Sequence, residues 1–376
     1  MKYRWYFSVY GSGLGHISRS LWLAKNIDGE KYFATWGEAF GLASSFYPAY
    51  RATPLDVVWT EEGRMSFKKT LKSFNLSFAT FFHQIFEEKE RIEKIKPDAV
   101  ISDSRITPLI ASRILKAKSA LIVNQAKVLF PIRKGVYLAL ERLFGETLGL
   151  FWDLADLVLI PDLPPPYTIS KHGADLYSIK KKAIYAGFFS DPPNKDYSCE
   201  DEAQIFAPIS GPPPTRKILF DLIIKAAKEL PEKYKIKVSL GDYSNRNFFY
   251  KNGNVTVLGW DYERDKDMAC SKALIIRGGL TTIGESILYG KPVISFPIAL
   301  HGEQEQNAQR VQELGFGFYL DQYKTKPKEL AEKLEELIKE DRYRKNAEKL
   351  SKIARSINTK ERVKKLLEGL VYDGAP

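Results

Sequence analysis

Strand-like and helix-like segments alternate along this chain, and the alternation runs twice. Residues 3–10 (YRWYFSVY) are aromatic and β-branched, as in a buried strand. Residues 16–27 follow with Ile17, Leu21, Ala24 and Ile27 at helical spacing. Further strands are predicted at 31–36, 97–102, 118–123 and 156–160, with helical stretches near 38–46 and at 82–95, 105–116 and 136–150. Residues 186–202 (AGFFSDPPNKDYSCEDE) then break the pattern with prolines, a glycine and mixed charge, as an interdomain linker does. Strands are predicted again at 204–209, 235–240, 254–258, 273–276 and 292–296, with helices at 215–230, 280–289 and 303–314. The C-terminal stretch is helical and rich in lysine and glutamate, with Leu330, Leu334 and Leu337 as apolar positions. Repeated strand–helix units of this kind fit a parallel sheet covered on both faces, so the chain reads as two α/β halves. Such sheets bind ligands beyond the carboxyl ends of their strands, so the loops that follow the strands are where chemistry is expected.

Composition narrows the class. The chain has 376 residues, 44% hydrophobic and 27% charged, as in a folded enzyme rather than a disordered chain. No apolar run is long enough to span a bilayer. Residues 1–10 lack the apolar core and small-residue cleavage site of a secretion signal. Cys199 and Cys270 read as isolated, pointing to neither a disulfide framework nor a zinc knuckle, so a cytoplasmic protein is expected. The net charge of +11 favours anionic partners such as nucleotide phosphates, nucleic acid or an anionic membrane surface.

Two glycine-rich turns carry the chemistry. The first, YGSGLGHISRS (10–20), joins the first strand to the first helix. Its glycines, Gly11, Gly13 and Gly15, are out of register with the G-x-G-x-x-G of a dinucleotide site, and position 16 is a histidine. Glu38 stands where a ribose-binding acid would sit, which keeps a dinucleotide enzyme open as an alternative. An imidazole at a strand's carboxyl end can take a proton from a hydroxyl near neutral pH, and it can equally cap a helix or touch a phosphate. Asp103 ends the strand PDAVIS and could orient His16, or cap a turn. The second turn follows the strand 273–276 and reads Arg277-Gly278-Gly279, with a helix starting near Leu280. Glycines let a ligand approach closely, and the free N–H groups of a helix start suit a phosphate. Thr281 and Thr282 add hydroxyls, and Glu285, one turn on, can accept two hydrogen bonds from a ribose diol. Farther along, Glu303 and Gln304 suit sugar hydroxyls, or simply begin a polar helix.

The stretch GGLTTIGESILYGKPVISFPIALHGEQEQNAQRVQELGFG (278–317) resembles the donor-nucleotide signature of GT-B glycosyltransferases, nearest to family 28. The first glycine loop is of the family's type as well, so the resemblance covers both halves. It implies two Rossmann-like domains facing each other across a cleft. Residues 1–187 would be the acceptor-binding domain, 188–202 a linker, and 203–350 the nucleotide-sugar domain. Residues 351–376 would be a C-terminal helix returning to the first domain. The activity implied is inverting transfer of a sugar from a nucleotide sugar, UDP-linked on family grounds, to an acceptor hydroxyl, without a further cofactor. His16 would be the base and Asp103 its partner. Gly278, Gly279, Thr281 and Thr282 would hold the diphosphate, with Arg277 beside them. Glu285 would hold the ribose, Glu303 and Gln304 the sugar, Trp260 the base, and Ser210-Gly211 a second phosphate-side loop. Gly11, Gly13 and Gly15 would floor the acceptor side. Many relatives have His at the position of Arg277, and Asp at that of Glu303, which leaves the sugar's identity open.

The acceptor side has its own signal. Residues 64–86 carry Phe67, Phe74, Phe78, Phe81, Phe82 and Phe86 largely at helical spacing, with Lys68, Lys69 and Lys72 at one end. A basic, aromatic amphipathic segment suits a membrane interface, and it suits a core helix with a solvated end. Residues 127–152, with Arg133 and Lys134, are a second such stretch. With the charge, they point to a lipid-linked or membrane-associated acceptor. Asp265-Lys266-Asp267 has the D-x-D spacing of metal-dependent transferases but lies on a predicted polar loop or helix start, so no metal is expected. Two other classes remain in view: a UDP-N-acetylglucosamine 2-epimerase-like enzyme, and a basic nucleic-acid-binding protein, which lacks a recognition motif here.

Overall fold

A computed structural model describes residues 3–54, 74–127, 129, 135–193, 197–200, 202–209, 211, 213–242 and 245–372. These form two compact units: the chain up to Phe189 together with Ile357 onward, and Ser190–Ser356.

The first unit is a seven-stranded parallel sheet. Its strands are β1 (Arg4–Val9), β2 (Glu30–Thr35), β3 (Ala49–Arg51), β4 (Ala99–Asp103), β5 (Ser119–Ile122), β6 (Leu157–Ile160) and β7 (Ala183–Tyr185). Their order is β3-β2-β1-β4-β5-β6-β7. Alternate residues of β1 serve opposite faces. Trp5, Phe7 and Val9 pack with Ile17 and Leu23 of the helix Gly15–Asn26 and with Val363 and Leu367 of the helix Thr359–Tyr372. Tyr6 packs on the other face with Ile92 and Ile95 of the helix Phe74–Ile95. The two apolar stretches predicted separately at 64–86 and 82–95 thus share one helix from Phe74 onward. The helix Thr107–Ile114 packs against it and against the helix Val136–Trp152.

The second unit repeats the plan. Its strands are β8 (Ile205–Pro208), β9 (Ile236–Ser239), β10 (Phe249–Asn252), β11 (Val255–Leu258), β12 (Ala273–Ile276), β13 (Val293–Ser295) and β14 (Gly317–Tyr319). The order is β10-β11-β9-β8-β12-β13-β14, and only the edge pair β10–β11 is antiparallel. Leu219 and Ile223 of the helix Pro213–Ala227 and Leu330, Leu334 and Leu337 of the helix Pro327–Lys339 cover one face. In each sheet the strand order reverses direction at one place, between β1 and β4 and between β8 and β12. Those are the crevices where a doubly wound sheet takes a ligand. Both glycine-rich turns lie there.

The cysteines correct the reading from sequence. Cys199 and Cys270 form a disulfide, with Cα atoms 5.2 Å apart. The bond joins the segment entering the second unit to the end of the helix Arg264–Cys270, beside the ion pair of Lys266 with Glu202 at 2.6 Å. The partners are 71 positions apart in sequence, so only the fold brings them together. A cross-link closing a loop of that length removes denatured-state entropy worth about 4 kcal/mol. Cys270→Ser is therefore expected to lower the unfolding free energy of the second unit by about that amount. Added reductant should bring the wild-type denaturation curve onto that of the variant.

Candidate functional site

The crevice of the first sheet is built around a buried carboxylate. β1 and β4 are paired in register, and Tyr10, next after β1, donates its N–H to the Asp103 carbonyl at 3.1 Å. That brings the glycine turn beside the end of β4. Gly13 turns the chain at φ +78, a left-handed conformation that favours glycine. A Cβ there would meet nothing within 4 Å, so the turn leaves open space above it. The helix Gly15–Asn26 then begins, and His16 and Arg19 fall on one face of it because they are three residues apart.

His16 Nδ1 lies 2.8 Å from Asp103 Oδ1. Arg19 Nε donates to Asp103 Oδ2 at 2.7 Å, and its Nη2 meets Oδ1. Ser20 Oγ donates to Oδ2 at 2.9 Å. Arg19 also donates to Asn124 Oδ1 at 2.6 Å and to Ser104 Oγ at 3.2 Å. Asp103 is fully buried, whereas the His16 side chain is 27% exposed. Burial alone would push the Asp103 carboxyl up. The Arg19 guanidinium, and then His16, outweigh it and hold the group well below the usual carboxylate range. Asp103 is therefore an anion at neutral pH. Arg19 Nη2 also lies 3.0 Å from His16 Nδ1. Its two hydrogens serve Asp103 Oδ1 and Ser104 Oγ, so the tautomer that satisfies the carboxylate has the proton on Nδ1 and the lone pair on Nε2. The sequence reading paired His16 with Asp103 and overlooked Arg19, Ser20 and Asn124. Arg19 was within reach, since it stands one helical turn beyond His16.

The crevice of the second sheet is built from backbone. Gly278 is a glycine because the chain passes close to its neighbour: a Cβ there would lie 2.3 Å from the Gln304 carbonyl oxygen. Asn307 locks that contact by donating to the Gly278 carbonyl at 3.0 Å. Over Gly279, by contrast, a Cβ would meet nothing within 4 Å. Gly279 precedes the helix Leu280–Leu288, whose first residues include the half-buried Thr281 and Thr282. Arg277 is deeply buried, and its guanidinium donates to the carbonyls of Thr215 at 2.5 Å and Phe296 at 3.3 Å and to Gln322 Oε1 at 2.6 Å. Burial lowers Arg277 to about 9, leaving it a cation at neutral pH. It ties together the segments that follow β8, β13 and β14.

The remaining predicted donor residues are distributed as follows. Glu285 Oε2 accepts from Arg264 Nη2 at 2.5 Å, a partner the sequence did not reveal. Gln304 Oε1 accepts from the Ile298 N–H at 3.0 Å, and Glu303 stands half-buried in the first turn of the helix Gly302–Glu313. Trp260 is half-buried just beyond β11, and Gly211 lies in the loop beyond β8. Ser210, Phe67, Lys68 and Lys69 lie outside the described residues, while Phe74 starts its helix and Phe78 is exposed on it. Asp267 of the D-x-D triplet is buried against Lys237 Nζ at 2.5 Å. No cluster of three or more metal-ligating side chains occurs among the described residues.

Asp103→Asn should leave the buried Arg19 guanidinium without its anion, at a cost of about 3–5 kcal/mol in the stability of the first unit. The native carboxyl is depressed, so its contribution is complete above an unfolded pKa of about 4 and is lost as pH falls below it. Denaturant titrations across pH 2–8 should show that acid limb in the wild type and a flatter one in Asp103→Asn.

Comparison with known proteins bears on both crevices. Residues 215–367 match the glycosyltransferase family 28 C-terminal domain. The chain is 28% identical over 375 residues to an uncharacterized glycosyltransferase of Methanosarcina acetivorans, covering 96% of each. A stretch of 71 residues is 38% identical to the UDP-N-acetylglucosamine–N-acetylmuramyl-(pentapeptide) pyrophosphoryl-undecaprenol N-acetylglucosamine transferase of Acidiphilium cryptum, 19% of each chain. Among solved structures, the calicheamicin glycosyltransferase CalG4 superposes with a TM-score of 0.66 at 15% identity, covering all of both chains. With two doubly wound units and glycosyltransferase relatives matched over 96% of its residues, the chain is a glycosyltransferase of the GT-B fold, whose second unit resembles the family 28 C-terminal domain.

Proposed function

We propose that the enzyme transfers a sugar from a UDP-sugar to the hydroxyl of a lipid-linked acceptor with inversion at the anomeric carbon. The observation that carries this reading is the partly exposed His16, whose Nδ1 is held on a buried, ionised Asp103. Its Nε2 takes the acceptor's proton as the acceptor oxygen bonds to the anomeric carbon. The bond from that carbon to the diphosphate oxygen breaks on the opposite side, so UDP leaves with the electron pair and the configuration inverts. Asp103 then stabilises the imidazolium, as an ionised neighbour does for a base. In the second unit, the open backbone over Gly279 and the N–H groups beginning the helix Leu280–Leu288 take the charge that builds on the diphosphate. Glu285, held by Arg264, takes the ribose hydroxyls. UDP is favoured because the Acidiphilium relative is named for a UDP-sugar donor.

The lipid side rests on exposed apolar surface. Phe78, Phe82 and Phe86 lie at successive four-residue steps of one helix, and each is more than half exposed. Val136, Leu143 and Leu150, at seven-residue steps, are likewise exposed on the helix Val136–Trp152. No described helix is long and apolar enough to cross a membrane. The exposed apolar faces support association with a membrane surface, aided by a net charge of +11. The Acidiphilium relative's name includes an undecaprenol acceptor, which supports the same class.

Turnover can be read as UDP release over a panel of UDP-sugars with a lipid extract as acceptor. His16→Ala should lower kcat by ~10²–10⁴-fold with donor KM nearly unchanged, and full retention of turnover would remove His16 as the base. UDP-N-acetylglucosamine alone should yield no C2 epimer. The protein should sediment with anionic liposomes at low salt and be released by added salt, and Phe82→Ser should weaken that binding; no sedimentation at low salt would remove the membrane reading.

A further inference from the structure

The imidazole of His16 is held on a second side that the glycine turn does not advertise. Tyr10, the last residue before the turn, stands edge-on to the ring with centroids 5.4 Å apart and an interplanar angle of 70°. Behind Tyr10 stands Trp36, again edge-on, at 5.1 Å and 82°. Trp36 is buried, and the Gly11 backbone lies close against it: a Cβ on Gly11 would lie 2.6 Å from the indole and from the Trp36 carbonyl oxygen. Behind Trp36 lies the Arg105 guanidinium, 5.3 Å from its ring centroid. Arg105 is fixed in turn by Glu88, to which Nη1 donates at 2.6 Å. Glu88 is fully buried and also accepts from Tyr6 Oη at 2.6 Å and Ser8 Oγ at 2.9 Å.

One short segment therefore reaches His16 by two routes. Asp103 ends β4 and meets Nδ1 directly. Ser104 turns the chain at φ +56, and Arg105 goes to the side where Tyr6 and Trp36 pack. A hydrogen bond at Nδ1 sets one end of the imidazole but leaves it free to swing about that contact. A ring against a second edge removes the swing, and a wall built on a buried ion pair does not yield. We propose that Tyr10, backed by Trp36 and the Arg105–Glu88 pair, is a positioning residue that keeps Nε2 of His16 aimed at the acceptor oxygen. The proposal rests on His16 being the base. It uses the ring of Tyr10 and not its hydroxyl.

The test does not require the acceptor to be known. The chain has 4 histidines, so protein labelled with ¹⁵N-histidine gives a spectrum that His16→Ala assigns. The wild type and Tyr10→Phe should show His16 with a protonated Nδ1 and an unprotonated Nε2 as a single tautomer. Tyr10→Leu, which fills the volume without a ring, should keep Nδ1 protonated on Asp103 but shift and broaden the Nε2 resonance and its ring-proton correlations as the imidazole swings, at unchanged thermal stability. A His16 spectrum in Tyr10→Leu that matches the wild type would overturn the proposal. Turnover, read as UDP release with UDP-N-acetylglucosamine and lipid extract, gives a second measure. Tyr10→Leu should lower kcat by up to about 10²-fold with donor KM unchanged, the scale of a misplaced catalytic group. Tyr10→Phe should retain wild-type turnover. In a His16→Ala background the further loss from Tyr10→Leu should vanish, and the same loss in both backgrounds would place Tyr10's role elsewhere. His16→Ala alone decides whether His16 is the base. The spectrum decides separately whether Tyr10 holds it.

Discussion

Asp103 carries its negative charge where water is excluded, and the surrounding side chains are arranged for it. A buried carboxylate is stable only when paired and hydrogen-bonded. Arg19 supplies the countercharge, Ser20 a hydroxyl and His16 the remaining donor. Arg19 is itself buried and spends its other nitrogen on Asn124. Each of these groups is costly alone and compatible only with the others in place, so the cluster specifies its own geometry. The Glu88–Arg105 pair, with Tyr6 and Ser8 on β1, repeats that logic on the opposite side of the same strand ends. The position of His16 follows from both.

The repeating architecture was legible because long buried strands such as β1 and β4 announce themselves by composition, and glycines mark the turns after them. The strands missed from sequence were short edge strands: Ala49–Arg51, Ala183–Tyr185, Phe249–Asn252 and Gly317–Tyr319. They lie at the sheet edges and are mostly half-buried or exposed, so they lack the continuous buried apolar run that marks equally short interior strands such as β6 and β12. In the candidate site, His16 and Asp103 were legible from their places at strand ends. Glu88 was not, since it lies in the run EEKER (87–91), where one buried acid looks like its solvated neighbours. The cysteine pair was hidden for a different reason: their proximity is created by tertiary structure alone.

Gly278 shows how a correct motif can carry a different physical meaning. Its lack of a side chain first looks like room for a phosphate. The structure gives the space to the Gln304 backbone, while the open backbone belongs to Gly279. Of two adjacent glycines, one lets two chain segments meet and the other leaves open space. Arg277 follows the same division. It is a cation at the strand end, but its hydrogen bonds go to protein carbonyls and an amide, so it holds the walls and contributes charge from behind them.

The two crevices thus reach a similar topological position by different means, and the difference suits what each is proposed to do. A base must present one nitrogen in one direction, which calls for side chains whose own positions are over-determined. Asp103, Arg19 and the Tyr10–Trp36 wall provide that. A leaving diphosphate presents several equivalent oxygens and needs diffuse positive potential rather than one exact contact. Backbone N–H groups at a helix start provide it without a side chain that could move. On this reasoning, substitutions around His16 should disturb turnover through geometry. Those around Gly279 should act chiefly through access to the backbone.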